Sequence, residues 1–331
     1  MRSRAARLRR AHAIGALLIG AAAWVLPGDA SAAFPEKPIR LIVPQAPGSA
    51  TDVLARLLAT ELGSILGQTI VIENKPGAAF TIGLDLVAKS APDGYTLGMG
   101  PVGALAISPN MIAKVPYDVA RDFQPIMLAT RGHLLLAVSP KSAFHSVQDV
   151  IDEAKRSPGK LTNASSASGS PGHVGAELFK VMTGTNIVHV PYRGGAAATS
   201  DLIAGHVNLM FESLNSIAPH AKSGEVRALA VSGARRSPAF PDLPTVAEAA
   251  VPGYEAPTWS GVVGPAGIPR DIVMTLNAAL NRVIVAPTFV QRFGVIGDEA
   301  AGGTPEEFGA VIRSELAKWA DVIKRSGPTL D

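Results

Sequence analysis

The chain has 331 residues, 47% of them hydrophobic, 17% charged and 5% aromatic, with no cysteine. That excludes disulfides, thiolate zinc sites and a cysteine nucleophile, while the length and apolar content suffice for a large core divided between two domains. The formal charge of +3 misleads, because Arg2, Arg4, Arg7, Arg9 and Arg10 cluster ahead of an apolar run from Ala13 to Leu26 and the sequence Ala30-Ser31-Ala32.

Residues 1–32 therefore read as a secretory signal cleaved near Ala32, since the apolar run falls short of the roughly 20 residues a spanning helix needs. They carry five of the 30 basic residues and one of the 27 acidic ones, so the remainder holds 25 basic and 26 acidic groups. No basic stripe is left to attract nucleic acid or an anionic membrane.

After the signal, Ile39–Val43 predicts a strand that enters a turn, Ala46-Pro47-Gly48-Ser49-Ala50. The turn opens a helix whose Leu54, Leu57, Leu58, Leu62, Ile65 and Leu66 recur at helical spacing and which Gly67 ends. Such a start presents unpaired N–H groups and the positive end of a dipole, so it can hold an anion without a cationic side chain. Asp52 in the first turn complements that dipole, either as a plain cap or as an organiser of the loop. Strands are further predicted over 70–72, 95–99, 134–138, 187–190, 209–211 and 227–231, alternating with helical segments. That alternation argues for mostly parallel α/β sheets.

The same grammar returns in KLTNASSASGSPGHVGAELFK, where Ser166, Ser168 and Ser170 are hydroxyl donors beside a second helix start. His173 fits the orientation of this loop better than direct ligand contact. Two matched anion cradles imply two lobes facing one cleft. In VPYRGGAAATSDLIAG, Arg193 is the single cation at a strand end beside a Gly-rich turn, and it either pairs with a ligand carboxylate or stays a solvated surface arginine. Tyr192 and Phe211 are candidates for the pocket wall, with Phe211 fitting the core better. Capping-box patterns occur at Thr245 with Glu248 and at Thr304 with Glu307, and Phe308, Ile312, Trp319 and Ile323 then share one helix face. Crossings near 130–133 and 252–265 divide the chain into a first lobe, residues 33–131 and 253–331, and an inserted second lobe, residues 132–252.

Three kinds of chemistry find little support. Residues 98–103 match G-x-G-x-x-G, but Pro101 and Pro109 make a poor phosphate-binding helix, so the stretch reads as a loop at a strand end. A hydrolase would need an activated serine, and no G-x-S-x-G elbow occurs near His173 or elsewhere. His133, His145, His173, His189, His206 and His220 show no metal-ligand spacing. Asn163-Ala164-Ser165 fits a glycosylation sequon that overlaps a predicted strand end. Few aromatics argue against a stacked sugar and for a small carboxylate held by amides and hydroxyls.

The segments FPEKPIRLIVPQAPGSATDVLAR, GQTIVIENKPGAA, APDGYTLGMG, VPYDVARDFQPI, VPYRGGAAATSDLIAGHVNLMF, VRALAVSGARRSPAFPDLPTVAEA and GPAGIPRDIV together resemble the extracytoplasmic solute receptors of tripartite tricarboxylate transporters, the Bug-type receptors. The resemblance implies a two-lobed periplasmic binding protein of the second topological class, monomeric and without catalysis or cofactor. It also implies a small organic acid or amino acid as ligand and delivery to membrane permease subunits. A sensory accessory of a membrane signalling protein is the alternative role. By position, the resemblance places ligand contacts at Ala46, Pro47, Gly48, Ser49, Ala50 and Asp52, then at Gly100, Pro101 and Val102. The opposing lobe adds Ser168, Gly169, Ser170 and His173, with Arg193, Gly194 and Ser213. The chain departs from the family pattern at Ser49 and Phe80, where glycine is usual, and at Pro101 and Val102, where small or hydroxylated residues are.

Overall fold

The computed structural model describes residues 34–294 and 298–327, and the chain from Lys37 onward forms one unit. The signal sequence lies outside the described residues. In chain order the strands are β1 (Ile39–Val43), β2 (Ile70–Asn74), β3 (Thr96–Pro101), β4 (Phe123–Gly132), β5 (Leu134–Val138), β6 (Thr162–Ser165), β7 (Val188–Pro191), β8 (Leu209–Ser213), β9 (Arg227–Val231), β10 (Thr258–Pro265) and β11 (Glu299–Ala300). They form two sheets, ordered β11-β4-β10-β3-β1-β2 and β7-β6-β8-β5-β9. Helices flank both, giving the two-lobed α/β architecture expected from the sequence.

The sheets are mixed rather than mostly parallel, which corrects the strand reading. In the first sheet β1 runs parallel to β2 and β3, while β10 is antiparallel to β3 and β4 and β11 is antiparallel to β4. In the second, β6 is parallel to β7 and β8, and β5 is antiparallel to β8 and β9. The strands missing from the sequence reading, β4, β10 and β11, supply much of the antiparallel pairing. Pro125 within β4 argues against a strand, yet the ladder shifts register where Val262 pairs with Met127 and Val263 with Pro125. A bulge is one of the few places where proline fits a sheet.

Only His133 separates β4 of the first sheet from β5 of the second, and residues 232–257 return the chain from β9 to β10. One hydroxyl ties the two crossings together. Ser232 Oγ accepts from the Leu134 amide at 2.8 Å and donates to the Ala256 carbonyl at 2.7 Å. Both capping boxes form. The Pro305–Ser326 helix buries Phe308, Ile312, Trp319 and Ile323 as its periodicity predicts. It packs against β4 and also against the Pro171–Thr183 helix of the other half, so it spans both rather than returning to the first alone.

Candidate functional site

β1 and β3 end, and β10 begins, along one edge of the first sheet, where Pro101 lies opposite Ser260 and Thr130 and Gly132 lie opposite Ser260 and Thr258. The Ala50–Leu66 helix starts just beyond β1. Its cap, Ser49, is extended at φ −67° and ψ 160° and accepts the Asp52 amide at 3.3 Å. The Asp52 carboxylate in turn accepts the Gly48 amide at 2.9 Å, the Arg56 guanidinium at 2.9 and 3.0 Å and the Asn74 amide nitrogen at 2.8 Å. Burial pushes this carboxyl up, but those donors outweigh it and hold it at about 2. The caps leave the Ala50 and Thr51 amides without an acceptor among the described residues.

The Pro171–Thr183 helix begins in the same manner. Ser170 caps it by accepting the His173 amide at 3.3 Å, and His173 Nδ1 accepts the Gly169 amide at 3.0 Å, which fixes the serine loop. The His173 ring stacks on His189 with centroids 3.7 Å apart, and His189 Nε2 lies 2.6 Å from Ser165 Oγ. Burial, then His189 and Lys180, push His173 down to about 3; burial and Lys180 push His189 down to about 4. Both rings are neutral at pH 7 and serve as props, so His173 organises the loop as its position in sequence suggests. A third helix start, after Ser213, follows β8.

These starts meet at a cavity of about 360 Å³. Ala50, Thr51, Leu54, Phe80, Pro101 and Val102 line it from the first half together with Thr130, Thr258, Trp259, Ser260, Phe293 and Asp298; Ser166 to Pro171, Ser213 and Asn215 line it from the second. Trp259 Nε1 and Ser260 Oγ are buried without a hydrogen-bond partner among the described residues. Among the described residues no Lys, Arg or His lines the cavity. A larger one, about 620 Å³, lies at the crossings among Arg131, His133, Arg235, Glu255 and Glu299, where Gly303, Glu307 and Phe308 at the start of the Pro305–Ser326 helix also line it. The smaller cavity is the better candidate because the helix starts capped by Ser49 and Ser170, one from each half, border it.

Of the residues expected from the resemblance, Ala50, Pro101, Val102, Ser168, Gly169, Ser170 and Ser213 line this cavity. The others do not. Ala46 and Ser49 border a shallow depression beside Phe80, and Pro47 and Gly48 lie in the same exposed turn. Asp52 faces inward onto Gly48, Arg56 and Asn74. Gly100 is filled over by Leu105, whose Cδ1 lies 2.4 Å from where a Cβ would stand. His173 is behind its loop, and Arg193 and Gly194 are exposed. Tyr192 is spent on Asp201 at 2.6 Å, and Phe211 is in the core. Asn163 is buried, so the sequon is inaccessible in the folded chain.

Sequence reasoning missed Thr130, Thr258, Trp259, Ser260, Phe293 and Asp298, which belong to the unrecognised strands or to segments beside them. Phe80 was visible as a departure from the family pattern. Ala78, Ala79 and Phe80 all have positive φ, 44°, 47° and 79°, a conformation that non-glycine residues adopt at a cost. It brings the Phe80 ring to the cavity, 2.8 Å from where a Cβ on Gly103 would stand.

Residues 54–327 match the model of the tripartite tricarboxylate transporter family receptor. A Pseudomonas protein from the tcbD-tcbE intergenic region is 39% identical, over 88% of this chain and 87% of its own length. BugT of Bordetella pertussis is 36% identical over 98% and 99%. Among solved structures, an R. palustris protein with adipate superposes with a TM-score of 0.79 at 39% identity, covering 89% of this chain and 98% of that one. MatC from Rhodopseudomonas palustris with bound malate gives 0.77 at 30%, covering 88% and 100%.

Proposed function

Because the chain belongs to the tripartite tricarboxylate transporter receptor family, we propose that it binds a small carboxylate between its two halves, residues 33–131 with 253–331 and residues 132–252, and delivers it to the permease of such a transporter. The family consists of solute receptors, not enzymes, and the protein is a receptor. In this reading it is exported to the periplasm by its N-terminal signal. Among the described residues no helix is long and apolar enough to cross a membrane.

The observation that carries the reading is the convergence of capped helix starts from both halves on a cavity with no cationic side chain among its described lining residues. Free amides at a helix start bind a carboxylate through the dipole and direct hydrogen bonds. The buried, unpartnered Trp259 Nε1–H donates only, and Ser260 Oγ donates or accepts. A ligand acceptor relieves the desolvation cost that these buried groups carry without a partner. Each half offers part of the donor set, so ligand favours the closed arrangement over the open one.

Relatives solved with adipate and malate set the size class to test first. A thermal-shift panel of C4 to C8 mono- and dicarboxylates, aromatic acids and amino acids at millimolar concentration is the experiment. A ligand present at a hundred times its Kd stabilises by about 2.7 kcal/mol, which for a chain of this size raises Tm by several degrees. If no acid in the panel moves Tm while a neutral sugar or nucleotide does, the reading fails.

A further inference from the structure

Among the described residues Asp298 is the one ionisable side chain lining the cavity, and no hydrogen bond or ion pair there engages its carboxylate. It stands directly over Gly132. A Cβ at that glycine would lie 2.0 Å from Asp298 Oδ1 and 2.5 Å from Thr258 Oγ1, so only glycine leaves room for the carboxyl there. The neighbouring charges are engaged elsewhere: Glu299 lies 3.7 Å from both His133 and Arg235. Burial pushes the Asp298 carboxyl up to about 7, the response of an acid that has lost water and found no counter-charge.

Position adds a second constraint. Asp298 leads into β11 and sits over β4, whereas the Ala50–Leu66 helix starts beyond β1, with β10 and β3 between β4 and β1 in sheet order. Neighbouring strands are roughly 4.8 Å apart. The cavity thus runs from an anion-accepting end at the helix start beyond β1 to an acidic end over β4, three strand spacings or roughly 14 Å away in sheet order. Leu54, Phe80, Val102 and Phe293 give the space between them an apolar lining.

We propose that the ligand is a linear zwitterion, a carboxylate joined through a methylene chain to a cationic nitrogen, and that Asp298 is the specificity residue that pairs with the nitrogen. The proposal rests on the carboxylate-receptor reading and extends it to the other end of the ligand. A diacid of the same length sets its second carboxylate against Asp298, with no cationic side chain among the described lining residues to offset either charge. A cationic nitrogen supplies the charge that Asp298 lacks.

Three compounds of matched length separate the end groups: 6-aminohexanoate, adipate and hexanoate, titrated calorimetrically into the wild-type protein and into Asp298→Asn. The expected result is that 6-aminohexanoate binds the wild type at least tenfold more tightly than adipate or hexanoate. Asp298→Asn then removes that advantage while hexanoate binding stays within a few-fold, which also shows that the variant is folded. The proposal is overturned if adipate binds the wild type most tightly, if glycine or leucine outbinds 6-aminohexanoate, or if Asp298→Asn leaves the order of the three unchanged. Failure of the underlying reading looks different: none of the acids binds, hexanoate included.

Discussion

Burial would push the Asp52 carboxyl up, yet Arg56, Gly48 and Asn74 surround it closely enough to hold it at about 2. Its folded pKa is below the unfolded one, so the stability it contributes is present above about pH 4 and is lost as pH falls through about 2. Asp52→Ala strips four hydrogen bonds from the first loop. With Arg56 half exposed, a loss of about 2 kcal/mol is expected, read as a lower urea midpoint at pH 7 that converges with wild type as the pH approaches 2. Asp52 was legible in the sequence because an acid in the first turn of a helix complements its dipole. Asp298 was not, since nothing in its neighbourhood in sequence announces that Gly132 and Thr258 enclose it. The same holds for Arg193, a cation whose surroundings only the fold reveals to be solvent.

Among the elements, helices were the easier to read because their starts and stops are written in a few adjacent residues. Ser49, Ser146, Ser170, Thr245 and Thr304 all cap as side-chain acceptors, and Gly67, Gly184 and Gly327 close helices with positive φ. β4 and β10 escaped because Pro125 and the glycines of TWSGVVGP contradict strand propensity, and only pairing across the sheet, with its bulges, resolves the conflict. Because the missed strands carry Thr130, Thr258, Trp259 and Ser260, one edge of the cavity was invisible with them. At this scale the second cap is the sharper test. Ser170→Ala is expected to cost about 1 kcal/mol and to free the His173 amide. Carboxylate affinity should then fall more than stability alone predicts, since Ser168, Gly169 and Ser170 line the cavity. Equal denaturation midpoints, or affinity unchanged alongside a lowered midpoint, would separate loop order from binding.

The two-lobed plan of the whole molecule was legible from the repeated strand, serine loop and helix, and from punctuation near 130–133 and 252–265. What the sequence did not disclose is how the crossings are joined. Ser232 bridges the Leu134 amide and the Ala256 carbonyl, so the segments that would flex in the proposed closure share one hydroxyl. Ser232→Ala leaves a buried amide unpaired, at a cost of about 1–3 kcal/mol. The ligand-induced decrease in radius of gyration, followed by small-angle scattering, is expected to need more ligand or to be smaller in this variant. A change identical to wild type would mean that the bridge plays no part in closure. The claim on which the rest depends is that amides at helix starts from both halves grip a carboxylate without a cationic side chain. A crystal structure with a tight-binding acid tests it most directly. The account predicts a carboxylate within hydrogen-bond distance of the Ala50 or Thr51 amide and of the Ser168–Ser170 loop; a carboxylate held instead by Arg193, or seated among Arg131, His133 and Arg235 at the crossings, would contradict it.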